Sequence, residues 1–216
     1  MKIGILGSGE VGKALGAGFA TLGHDVLIGT RDPGSEKIRA WATKTGPRAS
    51  AGTFAEAAAF AEVAVLATLW DGTENAIRLG GPHNLAGKVV IDTTNPLDFS
   101  GGPPPKLSVG RTDSAGERVQ RWLPAARVVK AFNIVGNPHM FRPNFPDGPP
   151  DMFICGNDVA AKKTVAEICT AFGWPQPIDL GGIEAARYLE PLAMVWILTY
   201  FATSSGNHAF KLLRKS

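Results

Sequence analysis

The sequence predicts an α/β protein: a doubly wound, mainly parallel sheet with a small helical extension at its C-terminal end. Three observations carry that prediction. Short apolar runs of strand length alternate with amphipathic helical stretches along most of the chain. The first run leads straight into a glycine-rich turn and then a helix. The last long segment is apolar on nearly every side, unlike the helices before it.

Lys2–Leu6 reads as a buried strand. Val11–Leu22 reads as a helix, because Val11, Leu15, Phe19 and Leu22 recur at three- and four-residue spacing on one face. Gly23 and His24 make a turn into a second strand, Asp25–Gly29. A helix over Ser35–Thr45 and a short third strand near Arg48–Ala51 follow. An alanine-rich helix, Phe54–Ala61, leads into the fourth strand, Val63–Ala67. Asn75–Leu79 belongs to another helix, and Lys88–Asp92 is the fifth strand. Ser114–Trp122 is helical and Arg127–Ala131 is the sixth strand. Met152–Cys155 and Pro177–Asp179 are later strands flanking a helix over Val159–Phe172. Gly182–Leu213 reads as largely helical.

Two segments break this rhythm, Ser100–Lys106 and Arg142–Pro150. Both are rich in proline and glycine and continue neither a helix nor a central strand. Each follows a strand, so each is expected at the carboxyl edge of the sheet, where ligands bind in open α/β folds. They read either as walls of a site or as irregular surface loops.

Composition excludes several function classes. With 44% hydrophobic residues in 216, the chain can bury a core for one domain with a modest extension. A net charge of +3, with Arg111, Arg118, Arg121 and Arg127 spread apart, argues against nucleic acid and fits mild attraction of small anions. Cys155 and Cys169 lack metal-ligand spacing and a disulfide framework, so they read as buried thiols of a cytosolic protein. Met1–Leu6 does not resemble a cleavable leader. Leu192–Ala202 falls short of the roughly 20 residues that cross a bilayer. The expectation is a soluble, cytoplasmic protein with no membrane, nucleic-acid or metal partner.

Gly7, Ser8, Gly9, Glu10, Val11 and Gly12 fit the pattern G-x-G-x-x-G, between an apolar strand and an amphipathic helix. In that setting the first glycine permits a tight turn and the second lets a pyrophosphate approach the backbone. The third allows close helix–strand packing. Unpaired N–H groups and the positive helix end then face the phosphates. The prediction is a Rossmann-type dinucleotide-binding domain over residues 1–180, with residues 181–216 as the helical extension.

The second strand decides which dinucleotide is bound. Counting about 20 residues onward from the glycines nominates Asp32, which would favour NAD. Anchoring the count on the Gly23-His24 turn instead places Thr30 and Arg31 at the strand end. A hydroxyl and a guanidinium there suit the 2′-phosphate of NADP, with Lys37 adding charge. The competing reading of Arg31 is a solvated surface arginine.

Beyond the glycine turn stand the GTR ending of the second strand, Thr68-Leu69-Trp70, DTTNPL at Asp92–Leu97, VKAFN at Val129–Asn133 and YLEPLAMVWILTYF at Tyr188–Phe201. Together these segments resemble one family, the NADPH-dependent coenzyme F-420 reductases (F420H2:NADP oxidoreductases). The AFN and NPL pieces also resemble the reductase domain of the STEAP metalloreductases. The resemblance implies an NADP-dependent oxidoreductase, with the dinucleotide lying across Ser8–Val11 and its extra phosphate at Thr30 and Arg31. It implies Leu69 and Trp70 beside the adenine-side ribose and phosphates, and Thr94, Asn95 and Ala131 close to the nicotinamide. A deazaflavin or flavin-like acceptor would stack there, in a pocket completed by the two Pro/Gly loops.

Direct hydride transfer needs alignment and exclusion of water more than an acid or base, so no catalytic side chain is assigned. His139 is the best candidate for proton transfer, against the reading of a surface-loop histidine; His24 belongs to a structural turn. Leu69 departs from the archaeal pattern, which has proline before the tryptophan. A metal-chelate acceptor, or a redox sensor that binds NADP without turnover, is the alternative.

From Leu192 to Ala202 only Thr199 is polar. A helix apolar all round has to be buried. One side can cover the sheet and the other a second copy, which predicts a symmetric homodimer; burial within one chain is the other option. Pro191 suits a first turn or a kink.

Overall fold

The structure is a computed structural model that describes residues 1–213 and 215. Along the chain run β1 (Lys2–Leu6), α1 (Glu10–Thr21), β2 (Asp25–Gly29), α2 (Glu36–Thr45), β3 (Ala49–Gly52) and α3 (Phe54–Phe60). Next come β4 (Val63–Leu66), α4 (Trp70–Gly80), β5 (Val89–Asp92), β6 (Leu97–Asp98) and β7 (Lys106–Leu107). The last are α5 (Ala115–Trp122), β8 (Arg127–Lys130), β9 (Phe153–Gly156), α6 (Val159–Ala171), β10 (Ile178–Asp179) and α7 (Ala186–Thr203).

Eight strands form one sheet in the order β10-β9-β8-β5-β4-β1-β2-β3. Neighbours are parallel except where β9 meets β8 antiparallel, so the sheet is mainly parallel as expected. Helices cover both faces, which is why Ile3, Ile5, Val65, Val90 and Val128 are buried without polar alternation. From β1 the chain winds out through β2 and β3 on one side, then through β4, β5 and β8 on the other. The reversal opens a crevice above the carboxyl ends of β1 and β4, the usual ligand position in such sheets.

One expectation needs correction. The C-terminal helix ends at Thr203, where Ser204 turns left-handed at φ 53, and residues 204–213 are not helical. Ser204, Ser205, Gly206 and Asn207 are poor helix formers that favour caps and turns. The tail folds back instead: His208 stacks on Trp196 at 4.7 Å, and Asp151 N–H donates to the Phe210 carbonyl.

Ser100–Lys106 stays outside the main sheet: it turns the chain between β6 and β7, a small antiparallel hairpin whose second strand begins at Lys106.

Burial of α7 all round within one chain, the other option, is not what is found. Leu189, Glu190 and Ala193 face the body, whereas Val195 and Leu198 are 52% and 49% exposed. Pro191 lies inside this helix rather than in its first turn, so one intrahelical hydrogen bond is missing there.

Candidate functional site

The glycine turn has the geometry that its three glycines suggest. Gly7 adopts φ 127, and a Cβ there would lie 2.2 Å from the Ala67 carbonyl oxygen. A Cβ on Gly12 would lie 2.1 Å from the Gly7 carbonyl oxygen, so α1 packs directly on the turn. Around Gly9 a Cβ would meet nothing within 4 Å, which leaves backbone open to a ligand. Gly9 also caps α1 and brings no side chain to the helix end. The first amides of α1 therefore have neither an intrahelical nor a side-chain partner, the arrangement that attracts an anion.

Above this turn lies a cleft with two lobes of 500 and 490 Å³ that share Gly9, Ala67, Thr68, Leu69 and Asp71. Gly7, Ser8, Thr30, Arg31 and Asn75 line the first lobe. Ser8 Oγ donates to Thr30 Oγ1 at 3.1 Å. Arg31 is exposed and forms no ion pair among the described residues. Asp32, the competing candidate, accepts the Gly34 N–H at 3.1 Å and lines neither lobe; nor does Lys37.

Glu10, Val11, Trp70, Thr93, Thr94, Asn95, Leu97 and Phe99 line the second lobe. Trp70 stacks on Trp122 at 5.5 Å, which links α4 to α5. Leu69, 78% exposed, reaches both lobes, while Trp70 reaches only the second. Ala131 is buried and lines neither lobe; its N–H donates to the Asp92 carbonyl at 3.1 Å. Phe99 brings the first Pro/Gly segment to the cleft edge. The second segment stays away from it: Arg142 N–H donates to the Phe172 carbonyl, and Lys211 Nζ donates to Asp147. A pocket walled by both loops is therefore not what the chain builds. A separate groove of 710 Å³ between α6 and β10 shares no residue with the glycine turn.

The histidines stand apart from the cleft. His139 Nε2 lies 3.1 Å from Asn207 Oδ1 and its ring packs on Phe145, so it meets the tail. His24 lies 3.2 Å from the Met1 amino group. Partial burial, then that positive charge, lowers its pKa. Burial pushes the Cys155 thiol up to about 12 and raises that of Cys169, which leaves both protonated. Among the described residues no group of His, Cys, Asp and Glu is placed to hold a metal, and no helix is long and apolar enough to cross a membrane.

Beneath the second lobe the structure holds a feature that the sequence reading missed. Lys130 is fully buried, with Nζ 2.9 Å from Asp92 Oδ2, 3.0 Å from Glu190 Oε1 and 2.6 Å from the Thr94 carbonyl oxygen. Burial opposes its charge, but the facing carboxylates of Asp92 and Glu190 outweigh it, so its pKa is raised. A lysine in the otherwise apolar run Val128–Ala131 and a glutamate in an apolar helix were the available signals, since buried charges need partners.

Comparison with known proteins agrees with this geometry. Residues 2–96 match the family model described as NADP oxidoreductase coenzyme F420-dependent. The chain is 31% identical over 206 residues to the F420-dependent NADP reductase of Methanothermobacter marburgensis, with 91% of each chain covered. To metalloreductase STEAP3 of Rattus norvegicus it is 30% identical over 197 residues, covering 89% of this chain and 36% of that protein. The chain thus spans about a third of that relative's length. A crystal structure from Arthrobacter sp. FB24, described as a candidate F420-dependent NADP reductase, is 41% identical. It superposes with a TM-score of 0.94, over 99% of this chain and 100% of that one.

Proposed function

The chain belongs to the family of F420-dependent NADP reductases and is an NADP-dependent oxidoreductase; on that premise we propose that it passes a hydride between NADPH and a flat deazaflavin of the coenzyme F-420 type. The observation that carries this reading is the second lobe. It joins polar Thr94 and Asn95 to an apolar rim of Trp70, Leu97 and Phe99; its ionisable side chains are Glu10 and Asp71, at the starts of α1 and α4, and it contains no histidine, lysine or cysteine. Such a surface suits a planar ring stacked on a nicotinamide, with little for an acid or base to do.

The residues fit a dinucleotide. The open backbone at Gly9 and the uncapped amides of Glu10, Val11 and Gly12 receive the pyrophosphate, with Gly7 shaping the turn. Ser8, Thr30 and Arg31 hold the 2′-phosphate end in the first lobe. Leu69 covers the middle; Trp70, which the resemblance puts on the adenine side, lines only the second lobe and so borders the nicotinamide side instead, where Thr94 and Asn95 orient the carboxamide. Ala131 acts through the backbone that supports Asp92. When bound, NADPH supplies the hydride; the protein aligns it and excludes water.

In this reading residues 1–180 form the nucleotide-binding unit and 181–216 the extension, of which Arg214 and Ser216 lie outside the described residues. The exposed apolar face of α7, with Val195 and Leu198, packs on a second copy to make a symmetric homodimer. The protein works in the cytoplasm on small redox molecules.

Similarity to STEAP3 supports a second reading, in which a flavin or ferric chelate accepts the electrons. The test follows NADPH absorbance while the deazaflavin, FMN, FAD and ferric chelates are offered in turn. Oxidation with the deazaflavin alone is expected. Oxidation only with flavin or ferric chelate would favour the second reading. None with any acceptor would leave an NADP-binding sensor.

A further inference from the structure

We infer that Lys130, held between Asp92 and Glu190, is a positioning residue that fixes Thr94 and Asn95 for the nicotinamide, so that α7 sets the geometry of the second lobe. The inference rests on the assignment of that lobe to the nicotinamide.

The hydrogen bonds leave Thr94 no freedom. Its N–H and hydroxyl both donate to Asp92 Oδ1, at 2.9 and 2.7 Å. Its carbonyl accepts from Lys130 Nζ. Lys130 Nζ donates to the Thr94 carbonyl and forms ion pairs with Asp92 Oδ2 and Glu190 Oε1, so three oxygens surround its ammonium.

Asn95 is fixed as firmly. Its Nδ2 donates to the Asn133 carbonyl at 2.8 Å, and its Oδ1 accepts from Asn133 Nδ2 at 2.9 Å. Asn133 Nδ2 also donates to the Leu189 carbonyl at 3.1 Å, a second tie to α7.

Glu190 anchors the far end. Its two oxygens accept the N–H groups of Ala115 and Gly116, each at 3.0 Å, where α5 begins. A Cβ on Gly116 would lie 3.0 Å from Lys130 Cε and 2.8 Å from Ala186 Cβ, so glycine lets the three elements meet.

The energetics favour positioning over plain stability. Two carboxylates and an ammonium withdrawn from water cost free energy that well-packed apolar side chains would not. None of the three lines the cleft, so none touches the ligand directly. What the cluster provides is a rigid support under the two residues that do line it. Precise support of this kind is what a hydride transfer requires.

The test compares Glu190→Gln, and the double variant Lys130→Met with Glu190→Gln, against the unaltered protein. One probe is 2′,5′-ADP, which fills only the first lobe; the other readout is steady-state oxidation of NADPH by the deazaflavin, or by whichever acceptor the unaltered protein turns over. In both variants the Kd for 2′,5′-ADP should stay within about twofold, while kcat falls about tenfold or more and the KM for NADPH moves less. Unchanged kcat and KM in a variant that binds 2′,5′-ADP would overturn the inference. So would loss of 2′,5′-ADP binding in both variants, because the cluster would then serve general stability. Failure of the unaltered protein to bind 2′,5′-ADP would instead defeat the assignment of the cleft itself.

Discussion

The hydroxyls of Ser8 and Thr30 lie 3.1 Å apart and join the glycine turn to the end of β2. Neither residue is near the other in sequence; the parallel pairing of Leu6 with Gly29 brings them together. Both line the first lobe, so the pair presents hydroxyls to whatever fills it. Thr30→Val removes one hydroxyl and leaves Ser8 without its acceptor. A loss of about 1 kcal/mol in NADPH binding is expected, or about fivefold in Kd by titration.

Gly9 and Gly12 should respond differently to alanine. At Gly12 a Cβ would press on the Gly7 carbonyl, forcing α1 away from the turn. Gly12→Ala is expected to destabilise the fold by about 1–3 kcal/mol and to weaken NADPH as well. Gly9→Ala meets no protein atom, so thermal melting should barely change while NADPH affinity falls. Melting curves with and without NADPH separate the two.

Acid should loosen the start of α5 through Asp113. Arg118 and Arg121 contact its carboxylate at 2.9 Å. Burial opposes its charge, but hydrogen bonds from Arg121, Arg118 and the Ser114 backbone prevail and hold the pKa at about 2, below its ordinary 3.8. A depressed carboxylate pKa stabilises the fold above the ordinary value, and the gain is lost as pH falls through the lower one. Asp113→Asn should therefore cost about 1 kcal/mol at neutral pH, solvent screening of both arginines keeping it small. The difference from the unaltered protein should close between pH 3.8 and about 2.

Leu198→Glu tests the outer face of α7. Leu198 is about half exposed, so the change leaves the body of the chain intact. By sedimentation the unaltered protein should run as two chains and the variant as one. A single chain in both would remove the homodimer from the account.

Much of this was legible in the sequence. Strands such as Lys2–Leu6 and Asp25–Gly29 appear at their expected bounds because both faces of the sheet are covered and apolar runs mark them. Placing Thr30 and Arg31 by the turn that starts β2, rather than by a fixed count, led to the residues that line the first lobe. What stayed hidden depends on partners distant along the chain. Nothing local shows that Lys130 meets both Asp92 and Glu190. The tail after Thr203 reads as helical in the sequence, but hydrogen bonds from Trp196 Nε1 to the His208 carbonyl and from the Leu212 N–H to Asp151 hold it back on the body. Arg142–Pro150 reads equally as a site wall or a surface loop, and its bonds to Phe172 and to the tail make it the second.

The most direct test is calorimetric titration of NADPH and NADH into the unaltered protein and into Arg31→Ala. Arg31 stands exposed in the first lobe, free to meet a 2′-phosphate that only NADPH carries. NADPH should bind about ten- to a hundredfold more tightly than NADH, corresponding to about 1.5–3 kcal/mol for a charge-assisted contact. Arg31→Ala should remove most of that gap while leaving NADH unchanged. Equal affinities for the two nucleotides in the unaltered protein would contradict the account at its base.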